Sequence, residues 1–293
     1  MDSSGISLKE FLDIALRKKR IIFFLTGSFF LFSFFYALSL PNIYTSSALL
    51  ASSKADQNQN MLSQMGGLAA LGELAFQDNS VKLSNEAIER IKTFDFFSKF
   101  FLPNISLQNL IAVKSWNSQN DSLTYNSDMF DDQTKMTLKP FSLQKSFEIY
   151  KKIVNITENQ KTSFIKLDVK HKSPNLAKKF NKIIINQINE SMREEDKKKT
   201  SKSIDFLNFQ TSQTQYGGVK SALSKLQEEQ MKTLMLIESD EFYIFKILDS
   251  PIAPEKKSEP IRSFIVFLGT LMGLLISILS IFSIHYIKEY NQK

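Results

Sequence analysis

The sequence predicts an α/β domain between two membrane-spanning helices, with a long helical arm rising from that domain. Two apolar segments, 21–40 and 263–286, are each long enough to cross a bilayer, which takes about 20 residues. Between them, apolar and polar residues alternate over 164–170, as in a strand with one buried face. Apolar residues at helical spacing over much of 175–237 predict the arm.

The first apolar segment follows a polar tail, residues 1–20, that ends in the basic residues Arg17, Lys18, Lys19 and Arg20. A cleavable signal peptide is the alternative, because Ala37-Leu38-Ser39 resembles a cleavage site. The apolar core of such a peptide is normally only about 7–15 residues long, so we expect an uncleaved anchor. Basic residues beside a span are typical of its cytoplasmic side, which places the N-terminus in the cytoplasm.

Two spans place both termini in the cytoplasm and residues 41–262 outside it, with a short inner tail at 287–293. The second span alone orients the chain weakly, because three basic residues lie on its outer side: Lys256, Lys257 and Arg262. The first helix usually dominates orientation, which favours the same topology.

A proline-rich segment, 249–262, leads into the second span; we call it the strap. Its prolines, Pro251, Pro254 and Pro260, fix φ and remove N–H donors, so the strap is expected to be stiff and extended. Inside the span, Gly269 and Gly273 have the Gly-x-x-x-Gly spacing that permits close helix contact. We expect these five residues to set the packing of the spans.

Strands are expected at 44–50 and 242–248, and they could pair in one sheet beside the membrane. Ser84 has the pattern of a helix N-cap, and the helix that follows it should end before Pro103. Residues 115–140 are polar and are predicted to be irregular, and a short helix is expected at 147–154.

The arm is expected to begin at Ser173-Pro174, with Ser as the cap and Pro at the first helical position. From Arg193 to Ser203 no residue is apolar, which is typical of a lone helix surrounded by water. Apolar residues return at Ile204, and Gly217-Gly218 predicts a break. An antiparallel helix pair is therefore expected, with one unbroken helix as the alternative.

The polar part of the arm carries a basic run with two explanations. It could form a cationic surface for an acidic or phosphorylated glycan, or it could simply keep a polar helix soluble, which is the commoner case. In an oligomer such runs would stack into a ring of charge. The residues are Arg193, Lys197, Lys198, Lys199 and Lys202.

Few residues suggest catalysis. The chain has no cysteine, which excludes disulfides, thiol nucleophiles and zinc–thiolate sites. Its two histidines, His171 and His285, lie on opposite sides of the membrane in the expected topology. We therefore expect no enzyme activity and no catalytic, cofactor or metal site. The net charge of +7 is explained partly by basic residues beside the spans, so a nucleic-acid partner is not expected.

Several motifs resemble one family, the Wzz-type chain-length determinants, or polysaccharide co-polymerases, of bacterial inner membranes. The N-terminal motifs are Ile6-Ser7-Leu8-Lys9-Glu10-Phe11-Leu12, the basic cluster, Pro41-x-x-Tyr44 and Met65-Gly66-Gly67-Leu68-Ala69. The later motifs are Ser173-Pro174-x-x-Ala177, Ile188-Asn189, Phe206-Leu207, Glu241-Phe242-Tyr243-x-Phe245-Lys246-x-Leu248-Asp249, the spaced prolines and Gly269-x-x-x-Gly273. One departure is Asp249-Ser250-Pro251, where the family often has Asp-Pro-Ala, so the proline register is shifted.

The resemblance implies a periplasmic α/β base near the inner membrane, a projecting helical arm and a ring- or bell-like homo-oligomer. It implies a partner, an integral-membrane polymerase that joins lipid-linked oligosaccharide units. The lipid-linked glycan is a further candidate partner, and the sequence leaves open whether the glycan contacts the arm directly or only the polymerase. Such proteins set the modal length of O-antigen or a related lipopolysaccharide or exopolysaccharide chain without making or breaking glycosidic bonds. No kinase phosphate-binding motif follows the second span, so the chain resembles the stand-alone type.

Three other functions are weighed against length regulation. An export adaptor or kinase activator of a capsule or exopolysaccharide system would have a tyrosine-rich tail, and only Tyr286 and Tyr290 lie near the end. A membrane sensor needs an output domain, which tails of these lengths do not supply. A hydrolase has the least support, and a glycan-cleavage assay would test for it.

Overall fold

The structure is a computed structural model that describes residues 17–53, 83–131, 136–137, 142–239 and 241–290. It divides into an apolar-helix unit, Met1–Asn42 with Lys257–Lys293, and an α/β unit, Ile43–Lys256. The helices are α1 (Lys19–Ser39), α2 (83–91), α3 (Phe94–Phe96), α4 (Leu107–Ile111), α5 (Leu143–Ile153), α6 (Pro174–Gln213), α7 (Gly217–Ser239) and α8 (Arg262–Tyr290). The strands are β1 (Tyr44–Ser52), β2 (Val113–Asn117), β3 (Ser122–Tyr125), β4 (Phe130–Asp131), β5 (Met136–Thr137), β6 (Val154–Glu158), β7 (Ile165–His171) and β8 (Phe245–Asp249).

A four-stranded antiparallel sheet with the order β6-β7-β1-β8 forms the base of the α/β unit. In β1, Leu50 pairs with Ile165 of β7 on one side and with Ile247 of β8 on the other. A register shift at Leu49/Leu50 interrupts the second pairing. The prediction that the strand after the first apolar segment pairs with the strand before the second is confirmed.

The core lies between one face of this sheet and the first half of α6. Alternate residues of β7 are buried, as the alternating sequence predicts: Ile165, Leu167, Val169 and His171. The apolar stripe of α6 is buried with them and includes Phe180, Ile184 and Ile188. Burial of these side chains, each stabilising by about 1.5–3 kcal/mol, fixes the helix on the sheet.

An aromatic cluster completes the core on the side of α3 and α5. The rings of Phe101 and Tyr150 lie 4.9 Å apart, and the ring of Phe180 lies 5.5 Å from that of Phe101. The hydroxyl of Tyr150 is buried and donates a hydrogen bond to the carbonyl of Ile91 at 2.9 Å. This bond satisfies the polar end of the ring, so the cluster joins α2 and α5 to α6.

Two local predictions are wrong. Ser84 lies inside α2, and its buried hydroxyl has no partner in the described part of the chain. The helix that contains Ser84 ends at residue 91, before Pro103 as predicted, and a π-helical turn, Phe97–Phe101, follows α3. The first part of 115–140 is ordered, because β2 and β3 form a hairpin held by the Trp116 ring, 5.4 Å from that of Tyr44.

The arm is a helical hairpin. Ser173 caps α6 by accepting a hydrogen bond from the Leu176 amide at 3.4 Å, with Pro174 in the first turn. At about 1.5 Å per residue, the 40 residues of α6 span about 60 Å. Residues 214–216 separate α6 from α7, so the hairpin is confirmed and the unbroken helix is wrong. Gly217 begins α7 instead of marking the break.

The apolar-helix unit contains α1 and α8, which pack against each other. Lys19–Ser39 and Arg262–Ile284 are both long and apolar enough to cross a membrane. The motif Met65-Gly66-Gly67-Leu68-Ala69 and most of the N-terminal tail lie outside the described residues.

His171 should make stability depend on pH. The Ser173 amide donates to its Nδ1 at 3.0 Å, so Nε2 carries the proton and donates to the Asn109 carbonyl at 2.9 Å. The pKa of His171 is lowered from 6.5 to about 4, mainly by burial and to a smaller extent by the charge of Lys172, while the backbone hydrogen bonds of Asn109 and Ser173 oppose the shift. The folded state therefore binds fewer protons than the unfolded state between these values, and stability falls as pH decreases through that window.

We expect this loss to reach at most about 3 kcal/mol near pH 4. Thermal unfolding of the full chain in detergent, measured from neutral pH to about pH 4, would show it. His171→Gln retains a donor for Asn109 but does not titrate, so its unfolding temperature should change less over the same range. Equal pH dependence in the two proteins would show that His171 is not the source.

Candidate functional site

The two glycines of α8 lie against α1. A Cβ added to Gly269 would overlap Ser33, with its Oγ only 2.8 Å away, and one added to Gly273 would overlap Phe29, with its Cγ at 2.8 Å. Cβ atoms do not approach other heavy atoms so closely, so any larger residue at these positions would force the helices apart. The Gly-x-x-x-Gly motif therefore lies in the contact between the two apolar helices of the same chain.

Small polar residues continue this contact along both helices. The hydroxyls of Thr26 and Ser277 lie 3.4 Å apart, and Ser277 and Ala37 are buried. The outward face of α1 is aromatic and exposed, with Phe23, Phe24 and Phe32 each more than 70% exposed. The inner face thus holds the helix pair together, and the outer face presents apolar surface of the kind that lipid or another span covers.

Each end of the strap is bonded within its own unit. In the α/β unit, Ser46 of β1 donates to the Ile252 carbonyl at 2.7 Å, and the neighbouring Pro251 is buried. In the apolar-helix unit, the Arg262 guanidinium donates to the side-chain oxygen of Asn42 at 3.1 Å. Pro254 and Pro260 are half-buried. Along the sequence, Pro254 and Pro260 therefore lie between the two bonded residues, Ile252 and Arg262, and Pro251 directly precedes the first.

A buried amide joins the arm to the sheet. The side-chain oxygen of Asn189, on α6, accepts hydrogen bonds from the backbone amides of Ile244 at 2.8 Å and Phe245 at 2.9 Å. Its Nδ2 donates to the Phe245 carbonyl at 3.1 Å and to the Ile185 carbonyl at 3.1 Å. This one side chain therefore satisfies the backbone where the chain returns from the arm and enters β8.

Two more α6 side chains hold the same returning segment. Arg193 donates to the Glu241 carbonyl at 3.0 Å, and the hydroxyl of Tyr243 donates to the carboxylate of Asp196. Positions 189, 193 and 196 share one face of the helix because they are four and three residues apart. We call Asn189, Arg193 and Asp196 the polar joint.

The prediction that 193–203 is a lone helix in water is wrong, because Arg193 and Asp196 of the polar joint contact the returning segment. Besides the joint, Lys197 forms an ion pair with Glu238 of α7 at 2.7 Å, and Arg90 of α2 forms one with Glu195. The hydrogen bond from Lys197 to Glu238 raises the pKa of this lysine. The segment lacks apolar residues because its tertiary contacts are polar.

The basic run is divided by these contacts. Arg193 and Lys197 are engaged inside the chain, whereas Lys198, Lys199 and Lys202 are exposed. Lys199 and Lys202 line an open groove of about 500 Å³ between α6 and α7, together with Ser203, Phe206, Leu207, Leu226 and Gln230. The α7 residues were not predicted as part of any site, and only the pairing of the helices brings them there.

The four basic residues predicted to set the topology, Arg17, Lys18, Lys19 and Arg20, lie at the start of α1, and all but the half-buried Lys18 are exposed. Among the described residues, no group of three or more metal-ligating side chains converges. His171 is buried and bonded on both ring nitrogens, so its role here is structural.

A sequence model of the Wzz family of chain length determinant proteins matches residues 4–101. This match confirms the resemblance stated from the motifs, over the first third of the chain. No curated protein matches the sequence significantly.

Two solved structures are similar to the chain. One, described as a full-length bacterial polysaccharide co-polymerase, is 12% identical, with a TM-score of 0.45 over 98% of this chain and 100% of that one. The other is a fragment of WzzB, a polysaccharide co-polymerase from Salmonella Typhimurium. It is 12% identical, with a TM-score of 0.31 over 74% of this chain and 100% of that one. Both likenesses are distant.

The contact between α1 and α8 can be tested by cross-linking, because the chain has no native cysteine. With Thr26→Cys and Ser277→Cys together, mild oxidation should form an intramolecular disulfide, since the native hydroxyls are 3.4 Å apart. Proteolysis of the α/β unit followed by gel electrophoresis would show whether the two helices remain linked.

The matched control pairs Ser28→Cys with Ser277→Cys, because Ser28 is exposed on α1. This pair should not form an intramolecular link. Equal cross-linking in the two proteins, or cross-linking only between chains, would contradict the packing described here.

Replacing Asn189 should destabilise the α/β unit. In Asn189→Ala, the amides of Ile244 and Phe245 and the carbonyl of Phe245 lose buried partners, at a cost of about 3 kcal/mol or more. For a unit of this size we expect the unfolding temperature of the full chain in detergent to fall by about 5–10 °C. Asn186→Ala, at an exposed position on the same helix, should change it little. A similar temperature for both variants would refute the role of the joint.

Proposed function

We propose that this chain is a non-enzymatic regulator of polysaccharide chain length, acting on O-antigen or a related lipid-linked glycan. The observation that carries the proposal is the family match over residues 4–101, which includes the first apolar helix and β1. The architecture is compatible with it, because an α/β unit with a long helical hairpin lies in sequence between two apolar helices.

The proposed location is the bacterial inner membrane. In this arrangement 21–40 and 263–286 span the bilayer, both termini are cytoplasmic, and 41–262 form the periplasmic domain with the arm at 175–237. Arg17, Lys18, Lys19 and Arg20 support the orientation, since basic residues favour the cytoplasmic end of a first span.

The proposed partners are further copies of the chain, an integral-membrane polymerase and the lipid-linked glycan. Exposed apolar side chains on the hairpin, such as Phe209, Tyr216 and Met235, suit contact with a second copy. The exposed aromatic face of α1 suits contact with the spans of a polymerase. An oligomer of this kind would hold polymerase molecules around it, and the geometry of spans and arm would set when extension stops.

An export adaptor or kinase activator and a membrane sensor are the alternatives. Neither gains support from a contact in the described residues, and the family match favours length regulation. The three functions differ in what deletion of the gene does to surface polysaccharide.

Deletion of the gene, followed by gel electrophoresis of the polysaccharide, tests the proposal. The expected result is loss of a modal length band while polymer is still made, with the band restored by the wild-type gene. Loss of all surface polymer would favour an export role, and an unchanged profile in a strain without a second copy of the gene would contradict length regulation.

Replacing both span glycines should alter length control. Gly269→Leu with Gly273→Leu would push α8 away from Ser33 and Phe29, so the modal length should shift or its band broaden in the complemented deletion strain. The control is Gly27→Leu, in α1, because a Cβ there meets no heavy atom within 4 Å. Western blotting should show equal amounts of both proteins in the membrane. An unchanged ladder in the double variant would contradict a role for this contact.

A further inference from the structure

The groove between α6 and α7 has a defined chemical lining. Lys199, Lys202 and Phe206 follow one another at helical spacing, so one face of α6 supplies two cations and an aromatic ring. Leu226 and Gln230, on α7, form the facing wall, and Leu207 lies beneath. The volume of about 500 Å³ is within the usual range of small-ligand sites.

The two groove lysines differ from Arg193 and Lys197 of the basic run, which are engaged inside the chain. No ion pair or hydrogen bond engages the Lys199 or Lys202 ammonium group within the described residues, and no acidic residue lines the groove. Lys197, in contrast, is paired with Glu238. Two ammonium groups that none of the described residues engages therefore line the groove, where their positive charge favours an anionic group.

The remaining lining residues suit a sugar ring. The Phe206 ring is 61% exposed, and the apolar face of a pyranose can stack on such a ring. The Ser203 hydroxyl donates to the Lys199 carbonyl at 3.2 Å, which leaves its oxygen as an acceptor, and the Gln230 amide offers a donor and an acceptor. A hydrophobic peptide would not use these polar groups, and a neutral glycan would not use the lysines.

We propose that this groove binds an acidic polysaccharide, with a sugar ring on Phe206 and a sugar carboxylate or phosphate between Lys199 and Lys202. The inference deepens the proposed length regulation and rests on it, since it adds direct contact between the hairpin and the growing chain. It also replaces the five-residue basic surface with a smaller site that includes residues of α7.

Binding should be measured with the full-length protein in lipid nanodiscs. The probe is an oligogalacturonate, and a maltooligosaccharide of the same length is the neutral control. Wild type should bind the acidic oligomer and bind the neutral one much more weakly. Lys199→Gln with Lys202→Gln should weaken binding of oligogalacturonate by roughly tenfold, because two exposed charge contacts are lost. Phe206→Ala should also weaken it.

The matched control is Lys178→Gln with Lys182→Gln, which removes the same charge from exposed positions on the sheet-packed half of α6. This variant should bind within about twofold of wild type, because its lysines are about 30 Å along the helix from the groove. Equal loss in both double variants would mean that only net charge matters, and equal binding of the neutral oligomer would overturn the acidic assignment. Light scattering should give one oligomeric mass for all variants; a change confined to the groove variants would identify the groove as a subunit contact instead.

The test separates this inference from the proposed function. If wild type restores the modal band in the deletion strain but does not bind oligogalacturonate, the groove assignment is wrong and length regulation stands. If the chain restores no modal band, the proposed function fails whatever the binding measurement shows.

Discussion

The four hydrogen bonds of Asn189 are the contact on which both the sheet and the helical hairpin of the α/β unit depend. The first half of α6 is buried on the sheet, and its second half pairs with α7 outside that core. Where these two halves of α6 meet, the chain returns from α7 and enters β8, and the backbone amides and carbonyl of this returning segment need hydrogen-bond partners. Asn189 supplies them from inside the core, where an unmade hydrogen bond is costly. Arg193 and Asp196 extend the same joint by two turns of the helix.

The α/β unit and the apolar-helix unit are each held together by a different kind of contact. In the α/β unit, polar side chains define where the arm begins and where β8 starts. In the apolar-helix unit, the absence of side chains at Gly269 and Gly273 lets α1 and α8 approach closely, with Thr26 and Ser277 adding a polar contact. Both arrangements tolerate little change. The polar contacts of the α/β unit need every hydrogen bond, and the contact between α1 and α8 leaves no space for a Cβ at Gly269 or Gly273.

Much of this architecture follows from sequence patterns that report burial. Alternation predicted β7, the cap Ser173-Pro174 predicted the start of α6, and a need to bury Ile204 predicted the hairpin. The same reasoning failed over 193–203, because an absence of apolar residues says nothing about polar tertiary partners such as Glu238 and Glu241. The groove was partly missed because Leu226 and Gln230 reach Lys199 only through helix pairing. The placement of the α/β unit in the periplasm remains a prediction.

We propose above all that the chain sets polysaccharide length without supplying the polymerising activity. The most direct measurement is to place the gene under an inducible promoter in the deletion strain and to quantify total polymer and its length distribution at each level of expression. We expect total polymer to change little while a modal band emerges from a broad ladder as the protein accumulates. A rise in total polymer in proportion to the protein, with no modal length, would contradict it.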